Sequence, residues 1–212
     1  MSISDKIRKI KMTLANDITL VAVSKNKSNE EIFKAYNAGH KIFGENKVQE
    51  LLGKYESMPK DIKWHMIGHL QTNKVKYIAP FIHLIHAIDS EKLLKEINKR
   101  AKQNNRIINC LLQVHIAEES TKFGFSSSDI NDIIIKYSDL QNINIIGLMG
   151  MATFTDDRVQ IEKEFNSLYN IYKNHANFTT LSMGMSNDYK NAIKCGSNMI
   201  RLGSLIFGDR NY

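Results

Sequence analysis

Proline and cysteine are scarce in this sequence, with two of each among 212 residues, and both scarcities limit what the chain can be. So few prolines, with no repeat and no low-complexity block, leave no evident linker between folding units. Cys110 and Cys195 lie far apart and lack the paired spacing of a zinc site. In a reducing compartment both stay thiols, and they read as small, mostly buried side chains. No apolar run approaches the twenty or so residues that a membrane-spanning helix needs. The opening "MSISDKIRKIKM" is basic and amphipathic, without the continuous apolar centre of a secretory signal. A soluble, cytoplasmic protein with no membrane partner is expected. One domain over 1–212 suits the length, with an N-terminal helix over about 1–15 and the main body over about 18–210.

A net charge of +7 raises the question of nucleic acid, because clustered lysines gain affinity by releasing counterions from phosphates. Here the lysines are dispersed through predicted helices beside glutamates, as in "SEKLLKEINKRAKQ". That pattern describes a solvated helix face, and no nucleic-acid partner is expected.

What the sequence has is alternation. Short apolar runs recur at Thr19 to Ser24, His40 to Glu45, Lys63 to Gly68, His83 to Ile88, Cys110 to Ile116, Ile143 to Met149, Phe178 to Met183 and Asn198 to Gly203. Helical patterns separate them. Ser28 and Glu31 form a capping box, Ile32, Ala35 and Tyr36 share a face, and Gly39 can close the turn. Ser90 caps a stripe of Leu93, Leu94, Ile97 and Ala101, while Asp156 opens a helix carrying Ile161, Phe165, Leu168 and Tyr172. Strand and helix in strict alternation require a parallel sheet, and eight units close into an α/β fold of the (β/α)8 TIM barrel type. An open doubly wound sheet fits less well, since the glycine-rich fingerprint after the first strand is missing.

In such a barrel the chemistry sits at the C-terminal ends of the strands. Lys25 stands at the end of the first run. After the seventh and eighth come "LSMGMSND" and "IRLGSLIFG", in which Ser182, Gly184, Ser186, Asn187, Gly203 and Ser204 lead from strand towards helix. Such turns offer backbone N–H groups and hydroxyls to an anion, in the loops where this barrel commonly binds phosphate. An amine opposite a phosphate cradle suits a phosphorylated aldehyde, with pyridoxal phosphate as the leading cofactor. Arg201 alternates with Ile200 and Leu202 and so points either into the barrel or out between helices. Pointing inward, its guanidinium would face a pyridine nitrogen, disfavour its protonation and weaken the ring as an electron sink.

Other candidates have structural explanations. "HMIGH" (His65 to His69) lacks the glutamate of a zinc-protease helix. His83 and His86 read as structural histidines, His115 stays unassigned, and Met149, Met151, Met183 and Met185 read as gap-filling residues near strand ends.

Taken together, "AVSK" ending at Lys25, "FGENKVQE" from Phe43, "WHMIGHLQTNK" from Trp64, "ESTKFGF" from Glu119, "GLMGMAT" from Gly147, "LSMGMSND" from Leu181 and "GSNMIRLGSLIFGDR" from Gly196 resemble the pyridoxal phosphate homeostasis proteins. These are single-domain relatives of the alanine racemase N-terminal barrel. The resemblance runs from about Ile18 to the C-terminus and implies that Lys25 carries the cofactor as a Schiff base. It further implies that Asn46 lies near the ring's phenolic oxygen, that Ser182, Ser186, Gly203 and Ser204 surround the phosphate, and that Arg201 meets the pyridine nitrogen. Lys47 departs from a frequent aromatic, Asn198 from a frequent threonine and His115 from a commoner asparagine.

Racemisation needs acid/base groups on both faces of the substrate. In the racemase the second is a tyrosine from another domain, without counterpart after the eighth unit here; Tyr189 and Tyr212 read as packing residues. The expected role is therefore a monomeric carrier that holds pyridoxal phosphate for buffering or for delivery to dependent apoenzymes. A weak amino-acid racemase or lyase is the alternative.

Overall fold

Eight parallel strands form a closed barrel in sequential order. The computed structural model describes residues 1–119 and 123–208. The chain begins with helix α1 (Ile3–Thr13) and continues as β1 (Thr19–Val23), α2 (Asn29–Asn37), β2 (Ile42–Glu45), α3 (Val48–Ser57) and β3 (Lys63–Met66). Next come α4 (Val75–Ile78), β4 (Leu84–Ile88), α5 (Glu91–Gln103), β5 (Ile108–Gln113) and α6 (Ile130–Lys136). The chain closes with β6 (Ile143–Met149), α7 (Arg158–Tyr172), β7 (Thr180–Ser182), α8 (Tyr189–Lys194), β8 (Met199–Leu202) and α9 (Ser204–Phe207). Each expected run contains a strand, although β5 begins two residues early, at Ile108. Among the described residues no helix is long and apolar enough to cross a membrane.

Local chemistry sets the helix starts. Ser2 and Asp5 make a reciprocal capping box on α1, and Ser28 and Glu31 make one on α2. Ser90 accepts the Leu93 amide at the head of α5. Helix α7 begins one residue later than Asp156 suggests, because Asp157 takes the Val159 and Gln160 amides as the cap. At these positions a side-chain acceptor satisfies amides that have no partner within the helix.

Alternation along each strand divides the apolar residues into two cores. Leu20 and Ala22 of β1, Phe43 of β2, Trp64 and Met66 of β3, Ile200 and Leu202 of β8 face the helices and join one continuous core with Phe165 and Leu168. Val21, Leu84, Leu111, Met149 and Met199 form a separate cluster in the lumen, with Ile42, Ile146 and Met151 against it. The lumen is thus filled, as the fold requires. Closure comes from β8 pairing with β1, where Val21 is level with Arg201 and Ala22 with Leu202. Strands β7 and β8 meet at a single register pair, Ser182 with Met199. Asn198 strengthens that seam: its side chain accepts the Leu181 amide at 2.7 Å and donates to the Thr179 carbonyl at 2.8 Å.

Candidate functional site

Continuing the alternation of Val21 and Val23 past the end of β1 carries Lys25 towards the lumen side of the mouth. Lys25 is half-buried in a turn whose next residue, Asn26, has φ 59°. It shares a pocket of about 180 Å³ with Asn26, Asn46, Lys47 and Glu50. Asn46 follows β2, on the same side as Ile42 and Gly44, and is half-buried. The chain after β3 passes directly over it: a Cβ on Gly68 would fall 2.6 Å from the Asn46 carbonyl oxygen, so only glycine allows the approach. A wider groove of about 410 Å³, lined by Thr72, Asn73, Lys92, Lys95, Glu96 and Lys99, contains none of the expected site residues.

Arg201 points inward. It is 4% exposed, and its two terminal nitrogens reach the Ser182 carbonyl at 2.9 Å, the Ser182 hydroxyl at 2.6 Å and the Gly150 carbonyl at 3.1 Å. Burial pulls its pKa down to about 10, with Asp188 opposing, which leaves a cation at neutral pH.

Ser182 is itself fully buried, and its hydroxyl is engaged below the mouth. Besides accepting from Arg201 it lies 3.0 Å from His86 Nδ1, and His86 Nε2 lies 3.0 Å from His65 Nδ1. One direction of donation leaves a single group unmatched. The guanidinium donates to the Ser182 oxygen, Ser182 O–H donates to His86 Nδ1, and His86 Nε2–H donates to His65 Nδ1. The remaining proton then sits on His65 Nε2, which is buried without a partner. Both rings are held neutral. Burial pushes His65 down to about 3, helped by His83 and Lys63, and pushes His86 well below the ordinary histidine value, helped by His65 and Arg201.

The seventh and eighth loops come together above this row. Gly203 N–H donates to Ser186 Oγ at 3.3 Å, and Gly203 lies against Val23 of the neighbouring strand. Ser204, exposed, begins the four-residue α9. Gly184 turns the seventh loop at φ +96°, where a Cβ would fall 2.6 Å from that of Ala192. Asp188 accepts the Met185 amide at 2.5 Å, so part of this loop's donor capacity is used internally. Lys25, Asn46, Ser186, Gly203 and Ser204 therefore gather at the mouth, with Arg201 beneath them, whereas Ser182 does not open to it.

For several other residues the structure adds detail to the sequence reading. His86 joins the polar row as an internally bonded residue, while the neighbouring His83 is exposed. Only their odd and even places along the run from His83 to Ile88 hinted at the difference. Glu50, the last residue of "FGENKVQE", lines the lysine pocket, a place that the stretch alone did not assign to it. His115 Nε2 lies 2.9 Å from the Glu119 carbonyl. Met149 fills the lumen, Met183 the outer core, and Met185 is exposed. Tyr189 packs against the core at the start of α8, while Tyr212 and residues 120–122 of "ESTKFGF" lie outside the described residues.

A family model described as the alanine racemase N-terminal domain matches residues 2–211. A pyridoxal phosphate homeostasis protein of Aquifex aeolicus is 38% identical over 208 residues, covering 93% of this chain and 89% of the relative. One from Helicobacter pylori is 40% identical over 193 residues, covering 90% and 87%. The structure of PipY from Synechococcus elongatus with pyridoxal phosphate bound superposes with a TM-score of 0.88 at 29% identity, covering 98% of this chain and all of that one. Sequence matches of this extent, joined to a barrel whose mouth gathers a lysine and two serine-bearing loops, lead to one conclusion: the chain belongs to the pyridoxal phosphate homeostasis proteins, within the alanine racemase N-terminal domain family.

Proposed function

We propose that this chain is a single barrel domain that binds pyridoxal 5'-phosphate through Lys25 and serves its homeostasis, without robust catalysis. The observation that carries the reading is the corner where the first and last strands meet. There a half-buried primary amine lies beyond Val21, the strand partner of Arg201. The donor set fits the cofactor. Lys25 offers an amine for the aldehyde, Asn46 a polar group beside it, and Ser186, Gly203 and Ser204 offer hydroxyls and backbone amides for the phosphate. When bound, the cofactor supplies an electrophilic carbon and an electron-withdrawing ring.

Arg201 governs how far that ring can be used. It presents only donors, and it stays cationic at neutral pH, so it disfavours a proton on a ring nitrogen facing it. That arrangement supports holding over turnover. Ser182, expected among the phosphate ligands, is better assigned to orienting Arg201, because its hydroxyl is already shared between the guanidinium and His86. The same reading makes the protein a cytoplasmic monomer, with dependent apoenzymes as recipients of what it releases.

An absorption spectrum of purified protein with added cofactor tests the proposal. A visible or near-ultraviolet band should appear, and borohydride should fix the added mass to Lys25. A colourless preparation that ignores the cofactor would refute it. Rapid deuterium exchange at the α-carbon of amino acids in D₂O, abolished by Lys25→Ala, would refute the non-catalytic part.

A further inference from the structure

Lys25 lies between two peptide groups, and one ion pair holds both of them. The group before it contributes the Ser24 carbonyl, which accepts from Lys54 Nζ of α3 at 2.7 Å. The group after it contributes the Asn26 amide, which donates to Glu50 Oε1 at 2.5 Å. Lys54 Nζ and Glu50 Oε1 are themselves 2.6 Å apart, one turn from each other on α3. Glu45, at the end of β2, completes the cluster: its Oε1 lies 2.8 Å from Lys54 Nζ and accepts the Ser24 hydroxyl at 2.6 Å.

Two members of the cluster are shut away from water, with side-chain exposures of 7% for Lys54 and none for Glu45, while Glu50 keeps 21%. Burying Lys54 and Glu45 is costly even though they are paired, and apolar residues at both positions would fill the same space without that penalty. Glu45 Oε2 has no partner at all. Packing therefore does not account for the cluster, whereas its targets do. Asn26 adopts a left-handed backbone, a conformation that asparagine tolerates better than most non-glycine residues, and the Glu50 carboxylate holds the amide of that residue.

We propose that Lys54 and Glu50 are positioning residues for Lys25. By holding the carbonyl before it and the amide after it, they fix the backbone from which its amine reaches an aldehyde-bearing phosphate ligand. The inference rests on the reading of Lys25 as the cofactor-bearing residue, and its test separates the two.

Two measurements decide it: amide hydrogen exchange at Asn26 in cofactor-free protein, and the rate at which bound pyridoxal phosphate leaves on dilution, followed by its absorbance. Lys54→Met removes the donors, while Glu50→Gln removes the charge from a partly exposed position and preserves the fold if Lys54→Met does not. Both variants are expected to exchange and release about tenfold faster, the order set by losing a charge-assisted hydrogen bond. Lys54→Arg keeps a cation with several donors and should stay within about threefold of the wild type. Unchanged exchange and release in Glu50→Gln, with circular dichroism intact and only the melting temperature lowered, would overturn the clamp. So would release from Lys54→Arg as fast as from Lys54→Met. A wild-type protein that takes up no pyridoxal phosphate would instead overturn the reading of Lys25.

Discussion

Mild acid should destabilise this protein through its buried histidines. His40 is 3% exposed, with Nε2 at 2.8 Å from the Ile42 carbonyl. Burial, with Lys11 nearby, pushes its pKa from 6.5 down to about 4. His65 falls to about 3, and His86 moves in the same direction. In the unfolded chain all three titrate near 6.5, so between that pH and the folded values the unfolded chain binds protons that the native state refuses. Stability is therefore full above about pH 6.5 and declines as the pH falls. At pH 5, His40 and His65 each remove about 2 kcal/mol, a sizeable share of a total that for most domains is about 5 to 15 kcal/mol. For a chain of this size the pair corresponds to a fall in melting temperature of about 10 °C. Glu45 acts in the opposite sense, since burial raises its carboxyl pKa and protonation relieves it. A control is needed for that reason. His40→Gln keeps an N–H for the Ile42 carbonyl and cannot titrate. Thermal melts of cofactor-free protein at pH 7.5 and pH 5 should show the variant losing about 2 kcal/mol less than the wild type. Equal acid losses in the two proteins would refute the reasoning.

Three substitutions probe the rest of the framework. Ser182→Ala removes the oxygen shared by Arg201 and His86 and should lower stability by about 2 kcal/mol in denaturant titration; an unchanged midpoint would mean the row is not a unit. Gly184→Ala places a methyl 2.6 Å from the Ala192 Cβ at φ +96°. It should cost roughly 2 kcal/mol and loosen cofactor retention, as measured by melting and equilibrium dialysis. Phe165→Ala empties a fully buried site on α7 and should cost about 4 kcal/mol by chemical denaturation.

The barrel was legible because its signals are local and periodic. Ser28 with Glu31 marks a helix start, and the run from Thr19 to Val23 marks a strand buried on both faces. Eight such alternations leave little choice of topology. Lys25 was legible for a related reason, since a lysine directly after a buried strand falls at the mouth once the barrel is assumed. Ser182 was less so: position in a serine-rich loop did not reveal that Arg201 and His86 had already engaged it from other strands. The direction of Arg201 stayed open because two-fold alternation gives opposite faces without saying which is inside. Lys54 was invisible among many lysines on helices, and Glu50, although it ends "FGENKVQE", carried no role of its own. Their meaning comes from the carbonyl and the amide they hold, and a sequence does not display backbone partners.

Closure of β8 onto β1 also has a consequence for synthesis. Thr19 pairs with Met199 and Leu20 with Ile200, so residues made early wait for residues made nearly last. Loop closure over such a separation is slow and entropically costly. On the ribosome, the strand that leads to Lys25 emerges long before Arg201, Gly203 and Ser204, and the corner they form does not exist until β8 is out. A nascent or C-terminally clipped chain would display the lysine without the rest of its pocket. On the proposed reading, only a chain made through β8 brings together all the groups that would hold the cofactor.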